Sequence, residues 1–284
     1  MPLVSVLLAV HNDARYLGAA VESVLRQTVD DLALVVVDDA SSDGTSALLA
    51  DVADRRLSVL TNPEQLGLAA SLNRALELAQ GRYVARIDAD DVALPDRLEA
   101  QLACIRTLPS VAALGTAILD LDEAERPGSL HRNPTTSLGV RWLALFSSPF
   151  FHPTVLVDRE LLDRHGLRYD PEFLESEDYD LWTRLLRVAD GANLPRPLVL
   201  KRVHPGQASM RRSHLQESFQ QRVAVREIAQ VAPELSPAEA ELAWRLGSGR
   251  GPYGAEGGAA LARLLAAFEQ RHGVDSEVRE AAAR

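Results

Sequence analysis

Cysteine and lysine are almost missing from this chain of 284 residues. Cys104 is the only cysteine, so a disulfide within the chain is impossible and a cysteine-based zinc site is excluded. It falls in a predicted helix, where we expect a small core residue. Lys201 is the only lysine, so arginine carries nearly all the positive charge. Arginine forks suit phosphate and carboxylate groups, although a coding bias explains most of this enrichment.

The chain also lacks an excess of positive charge and a long apolar run. Its formal net charge is −10 and its isoelectric point is about 5.2, so it has no global positive field for nucleic acid. No stretch approaches the ~20 apolar residues that cross a bilayer. The N-terminal segment has no basic region, so we predict a strand there and not a signal peptide. We expect a cytoplasmic protein, with association at the inner face of the membrane left open.

Apolar strands that alternate with amphipathic helices dominate the first part of the chain. Hydrophobic residues make up 46% of the sequence, enough for a large core. The predicted strands are Leu3–Val10, Leu32–Val37, Leu57–Leu60 and Tyr83–Ile87, each followed by a segment with helical spacing or a turn. This alternation is typical of an α/β fold with helices on both faces of a parallel sheet. Ligands bind such sheets beyond the carboxyl ends of the strands.

The pattern loosens after residue 110 and becomes helical towards the end. The predicted elements are strands at Val111–Leu119, Thr154–Val157 and Leu198–Val203, a polar and turn-rich stretch at 123–134, and helices at 213–231, 236–246 and 257–272. This organisation indicates a main domain at 1–212, divided into halves at 1–110 and 111–212. A helical extension at 213–284 follows it.

Three carboxylates, Asp88, Asp90 and Asp91, stand together directly after the fourth predicted strand. Because like charges repel, a run of this kind at the end of a buried strand favours a bound divalent cation. Mg²⁺ and Mn²⁺ take one or two protein carboxylates and complete their shells with phosphate oxygens and water. The run therefore predicts a metal site that handles a diphosphate.

The residues alone leave other readings of this run open. Asp91 or Asp96 could cap the next helix. Asp88, Asp90 and Glu99 match positions 1, 3 and 12 of an EF-hand loop, although the Val-Ala that follows the run argues against one. A haloacid-dehalogenase-type phosphatase would use Asp88 as its nucleophile, but it expects the motif on its first strand.

Further polar residues follow other predicted strands or open a helix. Asp39, after the second strand, could read the imide N–H of a pyrimidine base or could simply accept turn amides. Glu177 and Asp178 open a helix and are candidates for a general base, while acids are also favoured in any first helical turn. His204 and His152 are each either a ligand or a solvated turn residue.

Six segments, taken in order, resemble family 2 glycosyltransferases of the GT-A fold. They are Val4–Asn12, Val35–Thr45, Asn62 with Gly67 and Asn73, Arg86–Asp91 with Pro95–Leu98, Glu177–Trp182, and Arg202–His204 with Ser209. Each is weak alone, but their order is specific, and together they cover about residues 3–210. The resemblance implies a Rossmann-like mixed sheet sandwiched by helices. It assigns nucleotide binding to 1–110 and the acceptor and catalysis to 111–212.

The resemblance also implies an inverting transfer of a sugar from a nucleotide-diphospho-sugar, such as a UDP-, GDP- or dTDP-sugar, to an acceptor hydroxyl. Asp178 would be the general base, with Glu177 beside it. Mn²⁺ or Mg²⁺ would be held by Asp90, Asp88 and His204, with Asp91 in support. The implied donor-binding residues are Val10, Asn12, Asp39, Gly67, Asn73 and Asp88, with Asp39 at the base and Asp88 near the ribose.

Several properties stay open on sequence alone. The acceptor is a glycan, a lipid-linked molecule or a small molecule, and the extension at 213–284 is compatible with a homodimer or with membrane contact. Besides the metal-dependent phosphatase, a non-catalytic module that binds a nucleotide-sugar or a glycan is the remaining alternative.

Overall fold

A computed structural model describes residues 2–204, 213–251 and 254–283. Ser209 and the predicted boundary at residue 212 lie outside the described residues. The strands are β1 (Val4–Val10), β2 (Leu32–Asp38), β3 (Leu57–Thr61), β4 (Tyr83–Arg86), β5 (Val92–Ala93), β6 (Val111–Leu121), β7 (Pro127–His131), β8 (Leu156–Asp158) and β9 (Asp190–Arg202). The helices are α1 (Ala14–Leu25), α2 (Thr45–Ala50), α3 (Leu68–Leu78), α4 (Arg97–Ile105), α5 (Ser137–Leu143), α6 (Arg159–Arg164), α7 (Glu177–Leu186), α8 (Ser213–Val231), α9 (Pro237–Gly247), α10 (Ala255–His272) and α11 (Ser276–Ala282).

These strands form one mixed sheet in the order β3-β2-β1-β4-β8-β6-β9-β5, with β7 paired to β6. β1 to β4 run parallel, and Val10 lies opposite Asp38 where β1 and β2 end. β8 runs antiparallel to both β4 and β6 and so joins the parallel half to the rest of the sheet. The expected α/β fold with a mixed sheet is confirmed.

Hydrophobic cores lie on both faces of this sheet. Along β1, Val6 and Leu8 pack on one face with Leu17 of α1, while Leu7 packs on the other with Leu72 of α3. This alternation follows from the two-residue period of a strand. Because both faces are covered, we expect polar ligands to bind at the edge where the parallel strands end.

A third core joins the C-terminal helices to α5 and α7. Trp142 of α5, Tyr179 of α7, Trp244 of α9 and Phe268 of α10 are all buried in it. The indole N–H of Trp244 donates to the carbonyl oxygen of Phe146 at 3.1 Å. The segment predicted as an extension therefore shares its core with the second half of the main domain. None of the helices in the described ranges has both the length and the apolarity needed to cross a membrane.

Three elements of the structure differ from the sequence prediction. The stretch predicted as turns at 123–134 contains β7, whose residues are all exposed and so show no alternation. β9 begins at Asp190, well before the predicted Leu198. The sequence does not reveal its first part because Pro195 and Pro197 interrupt the strand pattern there. The ladder between β6 and β9 shifts register at this point, where Pro197 lies opposite Ala117. The short helix α11 follows the last predicted helix.

An ion-pair network fastens α8 to α7. Arg226 donates to Asp180 Oδ1 at 2.6 Å and to Thr183 Oγ1 at 2.8 Å, and Asp180 is only 1% exposed. Because Asp180 would keep Arg184 alone as its partner, we expect Arg226→Ala to lower the free energy of unfolding by about 1–3 kcal/mol in urea denaturation. Arg245→Ala, which removes an exposed pair on α9, should cost less than about 0.5 kcal/mol. Equal losses in the two variants would contradict a structural role for the network.

Candidate active site

A cavity of about 430 Å³ opens at the carboxyl end of β4. Its lining includes the acidic run at Asp88, Asp90 and Asp91 and the acid pair Glu177 and Asp178 at the start of α7. The two acidic groups are far apart in sequence, and the fold brings them to one space. Ser148, Phe150, His152 and Lys201 also line it.

The acidic run forms a compact set of oxygen ligands. Asp88, Asp90 and Asp91 each offer one carboxylate oxygen, and these oxygens lie within 4.8 Å of one another. Asp90 Oδ2 is 3.1 Å from Nε2 of His204, as expected if both belong to one site. Asp88 forms an ion pair with Arg86 of β4.

Asp91 is the most enclosed member of the run, with 1% exposure. Its Oδ1 accepts the backbone N–H of Arg202 at 2.9 Å, and its Oδ2 is buried without a partner in the protein. Burial, followed by the charges of Asp88 and Asp90, raises the pKa of Asp91 well above its ordinary value. Burial and then Asp88 also raise the pKa of Asp90. Crowded carboxylates with an orphaned oxygen fit a hard divalent cation, which prefers oxygen ligands.

The geometry removes two of the other readings of this run. β5 takes up the two residues after Asp91 as a strand, so no EF-hand loop forms there. Glu99 lies in α4 and accepts a hydrogen bond from Thr28 at 2.8 Å, outside the cavity lining. Asp96 precedes α4 without a side-chain capping bond and pairs with Arg196. Helix capping therefore does not account for the run.

Asp39 occupies a second polar site, at the end of β2. Its Oδ1 accepts the backbone N–H of Leu66 at 2.8 Å and the amide of Asn62 at 2.5 Å, and its Oδ2 accepts the N–H of Gly67 at 2.8 Å. Burial acts to raise the pKa of Asp39, and these hydrogen bonds outweigh it and lower the pKa. Gly67 has a φ of +88°, where other side chains would be strained. This ionised carboxylate therefore fixes the loop that leads into α3.

The loop after β1 is tied to the loop after β2. Asn12 Oδ1 accepts the backbone N–H of Ser42 at 2.7 Å, and the N–H of Asn12 donates to Ser41 Oγ at 2.9 Å. Asn12 itself has a φ of +54°. The carbonyl of Val10 accepts the N–H of Asp39 at 2.8 Å. Val10 and Asn12 thus lie beside Asp39, as the sequence predicts for one edge of the sheet.

Asn73 bonds to the backbone of Tyr169 and not to the loops around Asp39. Both polar atoms of its side chain bond to the backbone of Tyr169, at 2.8 Å from Nδ2 to the carbonyl oxygen and at 3.0 Å from the N–H to Oδ1. The structure therefore gives Asn73 a role in joining α3 to the segment that precedes α7. It is not among the residues that line the cavity.

The acid pair stands at the first turn of α7. Ser176, just before it, has a φ of +83°, a left-handed conformation that is uncommon for serine. Asp178 Oδ2 accepts the hydroxyl of Ser148 at 3.0 Å, and its side chain is partly exposed to the cavity. Glu177 is 6% exposed and lies 3.9 Å from Nδ1 of His152. A strained turn that presents an acid pair to a cavity is common where function requires it.

The two acids differ in their surroundings. Burial, and then the charge of Asp178, raises the pKa of Glu177 to about 8. Burial also raises the pKa of Asp178, but hydrogen bonds from the backbone of Tyr179 and from Ser148 oppose it and favour the carboxylate. A pKa of about 8 keeps a proton on Glu177 at neutral pH, while the hydrogen bonds to Asp178 favour its carboxylate form.

Sequence reasoning missed four groups near these acids. Ser148 had no signal beyond its place in a polar loop. Tyr169, whose hydroxyl lies 3.0 Å from Nε2 of His152, also gave none. Arg86 belongs to one of the six segments that carry the family resemblance, but the sequence indicated no role for it. Asp13, which follows Asn12, also gave no signal, and burial and then the charge of Asp90 raise its pKa to about 6.

Comparison with known proteins identifies the family. The family model "Glycosyl transferase family 2" matches residues 5–166, more than half of the chain. An Escherichia coli relative named UDP-Glc:alpha-D-GlcNAc-diphosphoundecaprenol beta-1,3-glucosyltransferase WfgD is 30% identical over 65% of this chain and 70% of its own length. Two other curated relatives, from Methanocaldococcus jannaschii and Erwinia amylovora, are matched over 65% and 79% of their own lengths. The chain therefore belongs to glycosyltransferase family 2.

Solved structures agree on the fold. Staphylococcus aureus TarS 1-349 in complex with UDP-GlcNAc has a TM-score of 0.66 at 20% identity, and the match covers all of this chain and 88% of that one. The mannosyltransferase PcManGT from Pyrobaculum calidifontis in complex with GDP-Man and Mn2+ has a TM-score of 0.58 at 20% identity, over 99% and 79% of the two chains. The fold is therefore GT-A. The matched family range ends before α7, so Asp178 and His204 lie beyond it.

Proposed function

We propose that this chain is an inverting glycosyltransferase that moves a sugar from a nucleotide-diphospho-sugar to an acceptor hydroxyl. The observation that carries this proposal is the shared cavity. Carboxylates that suit a divalent cation and an acid pair that suits base catalysis line the same space. A transfer of this kind needs both, because negative charge leaves on the diphosphate while a proton leaves the acceptor.

We assign Asp39 to the nucleotide base. It follows β2 at the edge where parallel sheets bind ligands, and a carboxylate is an acceptor that suits an imide N–H of a pyrimidine. Its lowered pKa keeps it an acceptor at neutral pH. Val10 and Asn12 are assigned to donor binding together with Asp39, and Asp88 is assigned to the ribose or to the metal. Asn73 is left as a residue that positions α3.

We assign Asp90, Asp88 and His204 to a divalent cation, Mn²⁺ or Mg²⁺, that binds with the donor diphosphate. Such an ion neutralises charge on the leaving diphosphate. The need for it is electrostatic, since the negative charge of the diphosphate would otherwise meet three carboxylates. The Mn2+ complex of PcManGT, a neighbour in fold, supports this assignment.

We assign Asp178 as the general base. An inverting displacement requires the acceptor oxygen to attack the anomeric carbon opposite the leaving group, and Asp178 lines the cavity that also holds the diphosphate site. Ser148 orients its carboxylate by the hydrogen bond at 3.0 Å. Glu177, which keeps its proton, limits the negative charge beside the incoming hydroxyl.

The relative from Escherichia coli guides the choice of substrates. Its name gives UDP-Glc as donor and a diphosphoundecaprenol-linked sugar as acceptor. UDP-sugars and lipid-linked acceptors are therefore the first candidates for this chain. A cytoplasmic location, contact with the inner face of the membrane and a homodimer stay predictions.

A thermal-shift screen of UDP, GDP, dTDP and their sugars, with and without Mn²⁺, tests the proposal. A ligand at about 100 times its Kd stabilises the folded state by about 2.7 kcal/mol, which should raise Tm by about 5–10 °C. We expect this rise only with a diphosphate and Mn²⁺ together, and the matched monophosphate serves as control. No rise with any nucleotide, or no release of nucleoside diphosphate from the stabilising sugar nucleotide, would contradict the proposal.

A further inference from the structure

We propose that Arg86 binds the transferred sugar of the donor, through two guanidinium N–H positions that have no partner in the protein. This inference rests on the proposed function and extends it from the nucleotide to the sugar. It makes Arg86 a residue that determines which sugar is accepted.

The guanidinium of Arg86 is only partly used. Its Nη2 pairs with Asp88, while its Nε and Nη1 are buried and make no hydrogen bond. The residue is 4% exposed and still lines the cavity. A buried charged donor without a partner is costly, so it is expected to find one when the ligand is bound.

The orphaned atoms cluster at this cavity. Within the described residues, six buried side-chain nitrogen or oxygen atoms have no partner, and four of them belong to Arg86, Asp91 and Ser176. All three residues line the cavity. This concentration points to a missing ligand with several polar groups, because buried polar atoms elsewhere in a protein are nearly always satisfied.

Arg86 is also held rigidly in place. Its N–H donates to the carbonyl oxygen of Val155 at 3.1 Å, and its own carbonyl accepts from Arg97 Nη2 at 2.8 Å. These contacts fix the backbone on both sides of the residue at the end of β4. The guanidinium is therefore presented to the cavity without a loop movement.

The position of Arg86 selects the sugar as its ligand. It pairs with Asp88 of the diphosphate site, and the cavity that it lines is also lined by Glu177 and Asp178 of the base site, so it lies near both. In the proposed transfer, the group between the diphosphate and the base is the sugar whose anomeric carbon is attacked. The hydroxyl oxygens of a sugar are acceptors that match the two unused N–H positions.

A comparison of two affinities in Arg86→Lys tests this inference. Lysine keeps the positive charge beside Asp88 but loses the fork. With Mn²⁺ present, we expect the Kd of the nucleoside diphosphate to stay within about 2-fold, and the Kd of its sugar nucleotide to rise about 10- to 100-fold in calorimetry. The rate of donor hydrolysis in the absence of acceptor should fall with it.

Arg56→Lys is the matched control. Arg56 also pairs with an aspartate, Asp54, at 2.8 Å, and it lies outside the cavity lining without a contact to Arg86. We expect the ratio of the two affinities to stay at the value of the unmodified protein. An equal loss of both affinities in Arg86→Lys would overturn the inference and place Arg86 at the diphosphate, and unchanged affinities would overturn it as well.

A second measurement begins with the unmodified protein. Deoxy analogues of the preferred donor, each lacking one sugar hydroxyl, should include at least one that binds the unmodified protein about 10-fold more weakly. In Arg86→Lys the same analogue should lose nothing further. If every deoxy analogue binds as well as the parent donor, the inference is wrong while the proposed function stands. If the unmodified protein binds no sugar nucleotide at all, both are wrong.

Discussion

Asp178→Asn is expected to reduce kcat by about 10²–10⁴-fold, the usual contribution of a general base. The amide has nearly the same shape and can still accept the hydroxyl of Ser148, but it cannot take a proton from the acceptor. Because Asp178 does not touch the nucleotide in the proposed site, the Kd of the donor should change by less than about 3-fold. Steady-state kinetics with calorimetry of the donor measures both quantities.

The pH dependence gives the same prediction a second readout. Burial raises the pKa of Asp178, so the rate should fall as the pH drops through that raised pKa, where the carboxyl gains a proton. The acid limb of kcat/KM should be absent in Asp178→Asn. Glu172→Gln changes an exposed acid in the same loop and should leave kcat unchanged. Retention of more than about a tenth of kcat in Asp178→Asn would rule out the base assignment.

Asp90→Ala is expected to remove the metal dependence of nucleotide binding. Loss of a residue that merely supports a metal ligand costs about 10- to 100-fold in metal affinity, so loss of a ligand should cost at least about 100-fold. The rise in Tm with nucleotide and Mn²⁺ should then disappear. Calorimetry of the nucleoside diphosphate with and without Mn²⁺ measures the loss directly.

Without metal, Asp90→Ala should not lower the Tm of the protein. Burial and the charge of Asp88 raise the pKa of Asp90, which means that its ionised form is disfavoured in the folded state at neutral pH. Removing it should therefore leave the metal-free Tm unchanged or higher. Asp120→Ala is the matched control, because it breaks a similar carboxylate–histidine pair with His131 at 2.8 Å and neither residue lines the cavity. Nucleotide binding by Asp90→Ala that still depends on Mn²⁺ would contradict the assignment.

Sequence reasoning succeeds where a local pattern determines the structure. The apolar run of β2 predicts a strand buried on both faces, and the rule that ligands bind at carboxyl ends places Asp39 and the run at Asp88 on one edge. It also places the acid pair at the start of α7. These features depend on residue type and spacing along a short segment, which the sequence displays directly.

Sequence reasoning fails where the structure depends on contacts between distant segments. β7 has no buried face, so nothing in its composition marks it as a strand. The bond from Ser148 to Asp178 and the use of Asn73 by the backbone of Tyr169 depend on tertiary placement. The two unused donors of Arg86 are visible only when every neighbouring group has been counted.

The core shared by α7 and the C-terminal helices limits how parts of this enzyme could be exchanged with those of relatives. Tyr179, the residue after the proposed base, is fully buried in that core, and its hydroxyl donates to the carbonyl oxygen of Ala144 at 2.8 Å. From the far end of the chain, Glu277 accepts the N–H of Thr136 at 2.9 Å, where α5 begins. A chimera that receives foreign C-terminal helices must therefore receive the matching faces of α5 and α7 with them, or the base will be displaced although no residue of the cavity has changed.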